Sequence, residues 1–136
     1  MNKILLAYDG GDAAQDALTT AAQLASIAHA RVGVISVVPT TTLRTSQTIV
    51  PWDNPKMHLE QLTEAKTRLE SLGVEPELIE KVGDPARLIE DVAERDGYDT
   101  IVLGHPAHPR GLTGWLRRGV AWEVMQHARM TVVVTP

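Results

Sequence analysis

Apolar positions along this chain follow two alternating rhythms. Strand-length runs of consecutive apolar residues are separated by longer stretches in which apolar residues recur every three or four positions. Residues 4–8 form the first run and predict a strand. Ala14, Leu18, Ala21 and Ala25 follow at spacings of 4, 3 and 4, which puts them on one face of a helix. Asp12, with Gln15 three residues on, has the layout of a capping box for that helix. Residues 32–38 are apolar at nearly every position, as expected of a strand covered on both faces.

Residues 40–54 have no period, are rich in Thr and are flanked by Pro, and so predict a long loop. Leu62, Ala65, Leu69 and Leu72 mark a second helix that Gly73 ends. A short strand over 77–82 leads to Gly83-Asp84-Pro85, where Asp84 is placed to cap and Pro85 to open a third helix. Leu88, Ile89, Val92 and Ala93 give that helix its buried stripe, and Gly97 stops it. A strand over 100–104, a helix over 116–128 and a last strand over 131–135 complete the chain. Five strands alternating with four helices imply one α/β domain over residues 1–136, an open parallel sheet with helices on both faces. Ligands of such sheets bind beyond the carboxyl ends of the strands, where the winding direction reverses.

Composition narrows the function classes. A chain of 136 residues with 43% apolar content is long enough for a real core. There are no cysteines, which excludes disulfides and thiolate metal sites. A formal charge of −4 argues against general nucleic-acid binding, because neutralising phosphates needs a basic surface. No apolar run approaches the ~20 residues that span a bilayer, so no membrane partner is expected. Met1-Asn2-Lys3 passes directly into the first strand without the layout of a signal peptide, and a cytoplasmic location is expected. Phe is absent, so the core must be built from aliphatic side chains and alanine.

The stretch after the fourth strand carries the candidate chemistry. Gly104, Gly111, Gly114 and Gly119 lie between a strand and a helix, where glycines let a phosphate chain approach the backbone and free N–H groups at the helix start bind it. The same glycines also serve as plain turn residues. Pro106 and Pro109 remove donors from this loop, while Arg110, Arg117 and Arg118 offer charge-assisted contacts in their place or stand as solvated charges. Asp9 ends the first strand where it could accept hydrogen bonds from ribose hydroxyls, or simply close an Asp-Gly turn. His105 and His108 sit three apart, but zinc needs three or four ligands, and the reading preferred for the histidines is that they line the crevice. Trp115 and Trp122 share a helix face and are expected to pack in a core without Phe, with base stacking or a partner surface as the other role. Trp52, in the long loop, has the placement of a lid residue. No Gly-x-Ser-x-Gly elbow, cysteine nucleophile or Walker A lysine is present, so an enzyme is not expected, slow nucleotide hydrolysis in the crevice being the weaker alternative.

Several segments together resemble the universal stress protein family. Ile4-Leu5-Leu6-Ala7-Tyr8-Asp9-Gly10 is similar to its opening strand, and Gly83-Asp84-Pro85-Ala86 to its turn before the third helix. Asp99-Thr100-Ile101-Val102-Leu103-Gly104 resembles its fourth strand, and Gln126-His127-Ala128 with Val132-Val133-Val134 its closing helix and strand. The resemblance implies a sheet of order 3-2-1-4-5 with two helices on each face, of the adenine nucleotide alpha hydrolase-like type. It implies a crevice between strands 1 and 4 that holds ATP or AMP, a homodimer through the last strand, and a protein partner that reads the bound state. Residue by residue, it points to Ala7, Asp9, Val37, Gly104, Gly111, Gly114, Gly119 and Val120 as nucleotide contacts.

The match to the family's phosphate motif is mixed. Gly104 fits the first glycine, but Ala107 stands where the second belongs. The terminal Gly-Ser or Gly-Thr falls on Arg118-Gly119 or on Gly119-Val120, and neither pair supplies the hydroxyl. The expected function is therefore a regulatory domain binding an adenine nucleotide, with a nucleotide-free dimeric interaction module as the alternative.

Overall fold

The structure is a computed structural model that describes residues 1–39, 55–105 and 119–136. The chain runs β1 (Lys3–Ala7), α1 (Asp12–Ala28), β2 (Arg31–Pro39), α2 (Pro55–Ser71), β3 (Glu77–Gly83), α3 (Pro85–Arg95), β4 (Thr100–Gly104), α4 (Val120–His127) and β5 (Thr131–Thr135). All four ladders are parallel, and the strand order is β3-β2-β1-β4-β5. The predicted elements are all present, with ends shifted by a residue or two as terminal fraying allows. The last helix was expected over 116–128; its described part starts at Val120, and residues 116–118 lie outside the described ones.

The apolar code explains the layers. Ile4, Leu5, Leu6 and Ala7 are fully buried because β1 is the central strand and helices cover both faces. α1 packs over β1 and β4 and α2 over β2 and β3, while α3 and α4 pack together on the other face. In α1 the buried stripe is almost all alanine, which brings the helix close to the sheet. Leu62, Ala65 and Leu69 anchor α2; burying a leucine side chain fully contributes about 2 kcal/mol.

Two local expectations change. No capping box forms at α1: the N-cap is Gly11, without a side-chain bond, and Asp12 is the first helical residue. Gln15 is drawn away by tertiary partners, its amide donating to the Tyr8 hydroxyl and to Glu64. Asp84 does occupy the N-cap of α3, with Pro85 at the first helical position, but its carboxylate makes no cap bond there. Extended φ and the proline are enough to start the helix.

At the amino end of the sheet, Tyr98 fills the place where β2 has no side chain. A Cβ on Gly33 would lie 2.1 Å from the Tyr98 hydroxyl oxygen, so the phenol occupies the space a larger residue would need. The Lys3 ammonium sits 4.3 Å from the ring centroid and donates to the Asp96 carbonyl at 2.6 Å. Burial, with the Glu77 and Asp96 carboxylates nearby, pushes the Tyr98 phenol up to about 12.

Candidate functional site

The sheet reverses its winding between β1 and β4: β2 and β3 lie to one side of β1, β4 and β5 to the other. The carboxyl ends of these two strands therefore frame the crevice expected of an open α/β sheet. Ala7, at the end of β1, and Val37, in β2, are fully buried, and Asp9 is 6% exposed just beyond β1. Ala7 pairs with Ile35 and the Tyr8 N–H donates to the Ile35 carbonyl at 3.0 Å, so β1 and β2 stay paired up to the residue before Asp9. Gly104 closes β4 alongside. Gly119 is the N-cap of α4 at φ 77°, a left-handed conformation that glycine adopts without strain, and Val120 is the first helical residue. Gly111 and Gly114 lie outside the described residues, as do Pro106, Ala107, His108, Pro109, Arg110, Trp115, Arg117, Arg118 and Trp52.

Asp9 has a visible structural task. Its Oδ1 accepts the Gly11 N–H at 3.0 Å and so closes the turn into α1, with Gly10 at φ 81°. Gly104 has one as well. A Cβ there would lie 2.4 Å from the Ala13 carbonyl oxygen, so glycine is what allows α1 to rest on β4. Asp9 and Gly104, two of the candidate ligand contacts, thus also serve the turn and the packing, whatever the crevice holds.

The described histidines are spread over the domain. His29 caps α1 in the left-handed region at φ 54° and faces the amino end of the sheet. His127 is exposed at the end of α4, its Nδ1 against the Glu123 carbonyl at 3.0 Å. His58 is 2% exposed and hydrogen-bonded through Nδ1 to the fully buried Ser36 hydroxyl. His105, next after β4, stands at the crevice end, donating its backbone N–H to the Thr135 carbonyl at 2.7 Å, and His108 lies outside the described residues. Among the described residues no group of three His, Cys, Asp or Glu is placed to hold a metal ion. Trp122 also departs from expectation: it is 60% exposed on the outer side of α4, so it does not fill the core.

Reasoning from sequence missed a polar layer between the sheet and α2. The Tyr8 hydroxyl lies 3.0 Å from Glu64 Oε1 and donates to it while accepting from Gln15 Nε2. Burial and the Glu64 carboxylate raise the Tyr8 phenol far above its ordinary value, so it stays protonated and donates. The signal for part of this layer was present. Ser36 is the polar interruption of an otherwise apolar strand, and His58 precedes Leu62, Ala65 and Leu69 at helical spacing on the buried stripe of α2.

The strand order defines a doubly wound α/β domain, a fold whose ligands bind beyond the carboxyl ends of the strands at the switch point. The Universal stress protein family matches residues 1–136, and the chain belongs to that family. The universal stress protein YxiE of Bacillus subtilis is 33% identical over 125 residues, covering 83% of this chain and 82% of its own. A universal stress protein of Archaeoglobus fulgidus in complex with dAMP superposes with a TM-score of 0.71 at 25% identity, over 98% of this chain and 96% of that one. A universal stress protein in complex with cAMP reaches 0.74 at 18% identity, over 99% and 97%.

Proposed function

We propose that this chain is a regulatory domain that binds an adenine nucleotide, AMP or ATP, at the carboxyl ends of β1 and β4. The observation that carries this reading is the convergence of Ala7, Asp9, Val37 and Gly104 at the switch point of the sheet. The dAMP and cAMP complexes of similar proteins support the ligand class. Asp9 and the Val37 backbone would hold the nucleoside, with Gly104, Gly119 and Val120 near the phosphates. Because the family's terminal hydroxyl has no counterpart here, the nucleoside half is the better retained, and AMP should bind at least as well as ATP. Calorimetric titration of both nucleotides tests this, together with chromatography of whatever small molecule the purified protein releases on denaturation. Asp9→Ala should weaken AMP binding by about tenfold or more through loss of a charged hydrogen-bond acceptor. Absence of binding by both nucleotides at millimolar concentration would refute the reading.

A second reading is a dimeric interaction module. It rests on the β5 edge, where Thr131–Thr135 carries neither charge nor proline, and on the exposure of Trp122 and Met125 on α4, the helix that precedes it. Such an unshielded edge suits pairing with its own copy. Sedimentation should show a dimer for the native chain and a folded monomer for Val133→Lys. A native monomer at high concentration would exclude this pairing. A dimer through β5 is compatible with nucleotide binding, and the regulatory output would then pass through the interface to a protein partner; the alternative is the same dimer without a nucleotide.

A further inference from the structure

Three side chains of α2, spaced three residues apart, reach the carboxyl ends of β1 and β2, on one side of the crevice. His58 holds Ser36 of β2, and Glu64 holds Tyr8 at the end of β1. Between them the Gln61 side chain lies across the β1–α1 turn, with Cγ and Nε2 each 3.2 Å from where a Cβ on Gly10 would stand. Spacing of three puts the three side chains on one helix flank. The partners on the sheet are also ordered. Ser36 immediately precedes Val37, and Tyr8 immediately precedes Asp9. In β2, alternation turns Ser36 toward α2 while Val37 faces the opposite side, the side of Gly33 and Tyr98.

We propose that Tyr8 and Ser36 are positioning residues for nucleotide binding, latched by Glu64 and His58 so that α2 fixes Asp9 and Val37 from the far side of the sheet. The inference rests on the nucleotide reading above and adds to it the element that controls the site. Both latches are buried or half-buried, where a hydrogen bond broken on one side leaves its partner unsatisfied. Release of the first turns of α2 would therefore loosen both nucleoside contacts together. Conversely, a bound nucleotide would tighten the docking of α2, since coupling between two sites is reciprocal. The exposed side of α2, including Leu59 at 57% exposure, then becomes a surface whose order reports on the crevice.

The test compares AMP affinity in variants matched for stability. Ser36→Ala and His58→Ala should each weaken AMP binding about tenfold, the scale of one lost buried hydrogen bond. His58→Asn, which returns a polar atom to the place of Nδ1, should restore affinity to within about threefold. Ile89→Val, in α3 on the other face, should lower the melting temperature comparably and leave AMP affinity unchanged. An unchanged affinity in His58→Ala, or an equal loss in Ile89→Val, overturns the proposal. Should His58→Ala fail to fold, Tyr8→Phe removes a single hydroxyl and is read in the same way. Amide exchange without any nucleotide separates this proposal from the one it rests on. In His58→Ala, exchange at residues 9–11, 37 and 38 should quicken about tenfold while β4 stays protected. Unchanged exchange there overturns the latch, whereas failure of the native chain to bind AMP overturns only the nucleotide reading.

Discussion

Gly104→Ala should unfold this protein more readily than any conservative change in its leucine core, although it adds a single methyl group. The new Cβ would meet the backbone of α1, 2.4 Å from the Ala13 carbonyl oxygen and 2.5 Å from the carbonyl carbon. Backbone cannot change rotamer, so the whole N-terminal half of α1 has to lift from β4. That separation would open gaps over Ala13, Ala14 and Ala17, whose small side chains exist to allow the close approach. Overpacking of this kind costs about 3 kcal/mol, a fall of roughly 10 °C in melting temperature for a chain of this length. Calorimetry gives the result directly. A loss below about 0.5 kcal/mol would show that α1 is free to slide. A variant lowered by the expected amount that still binds AMP would locate the role of Gly104 in packing, not in the ligand.

Gly33→Val should be of similar size for a different reason. Here the obstacle is a side chain: the added Cβ would fall 2.1 Å from the Tyr98 hydroxyl oxygen and 2.7 Å from the ring carbon bearing it. Tyr98 is 3% exposed and held under Lys3, so the ring has little room to swing aside. The expected cost is about 3 kcal/mol. Because the conflict lies between two named side chains, a double-mutant cycle resolves it. Tyr98→Ala alone should cost about 3 kcal/mol, while adding Gly33→Val to it should cost far less than Gly33→Val does in the native chain. Strict additivity in urea unfolding would mean that the phenol is not what excludes a side chain from position 33.

These two glycines show where the sequence was legible and where it was not. The strands and helices could be read because their apolar periods are local properties, and Val32, Val34, Ile35, Val37 and Val38 are buried as their run implied. Strand order came from resemblance; once drawn, it placed Asp9, Val37 and Gly104 side by side. The reasons for Gly33 and Gly104 are contacts across 65 and 91 residues of chain, which no period records. The capping box failed in the same way: Gln15 has a local partner available, yet Tyr8 and Glu64 compete for it from elsewhere in the fold. The lack of Phe points Trp122 to the core, whereas α4 buries Val120, Ala121 and Val124 and leaves the indole exposed. Gly104 carries a further lesson. A residue that reads as a nucleotide signature is demanded by helix packing, so it would persist in a chain that had lost its ligand.

The two rims of the sheet differ in a way that sets a limit on growth. β3, at one rim, carries Glu77, Glu80 and Lys81, whereas β5, at the other, is Thr-Val-Val-Val-Thr. Pairing of β5 with its own copy about a two-fold axis would consume the permissive rim of both chains at once. The resulting ten-stranded sheet would present only β3 rims, charged and unreceptive to another strand. Assembly would then stop at two, so this arrangement supplies both the means of association and its terminator.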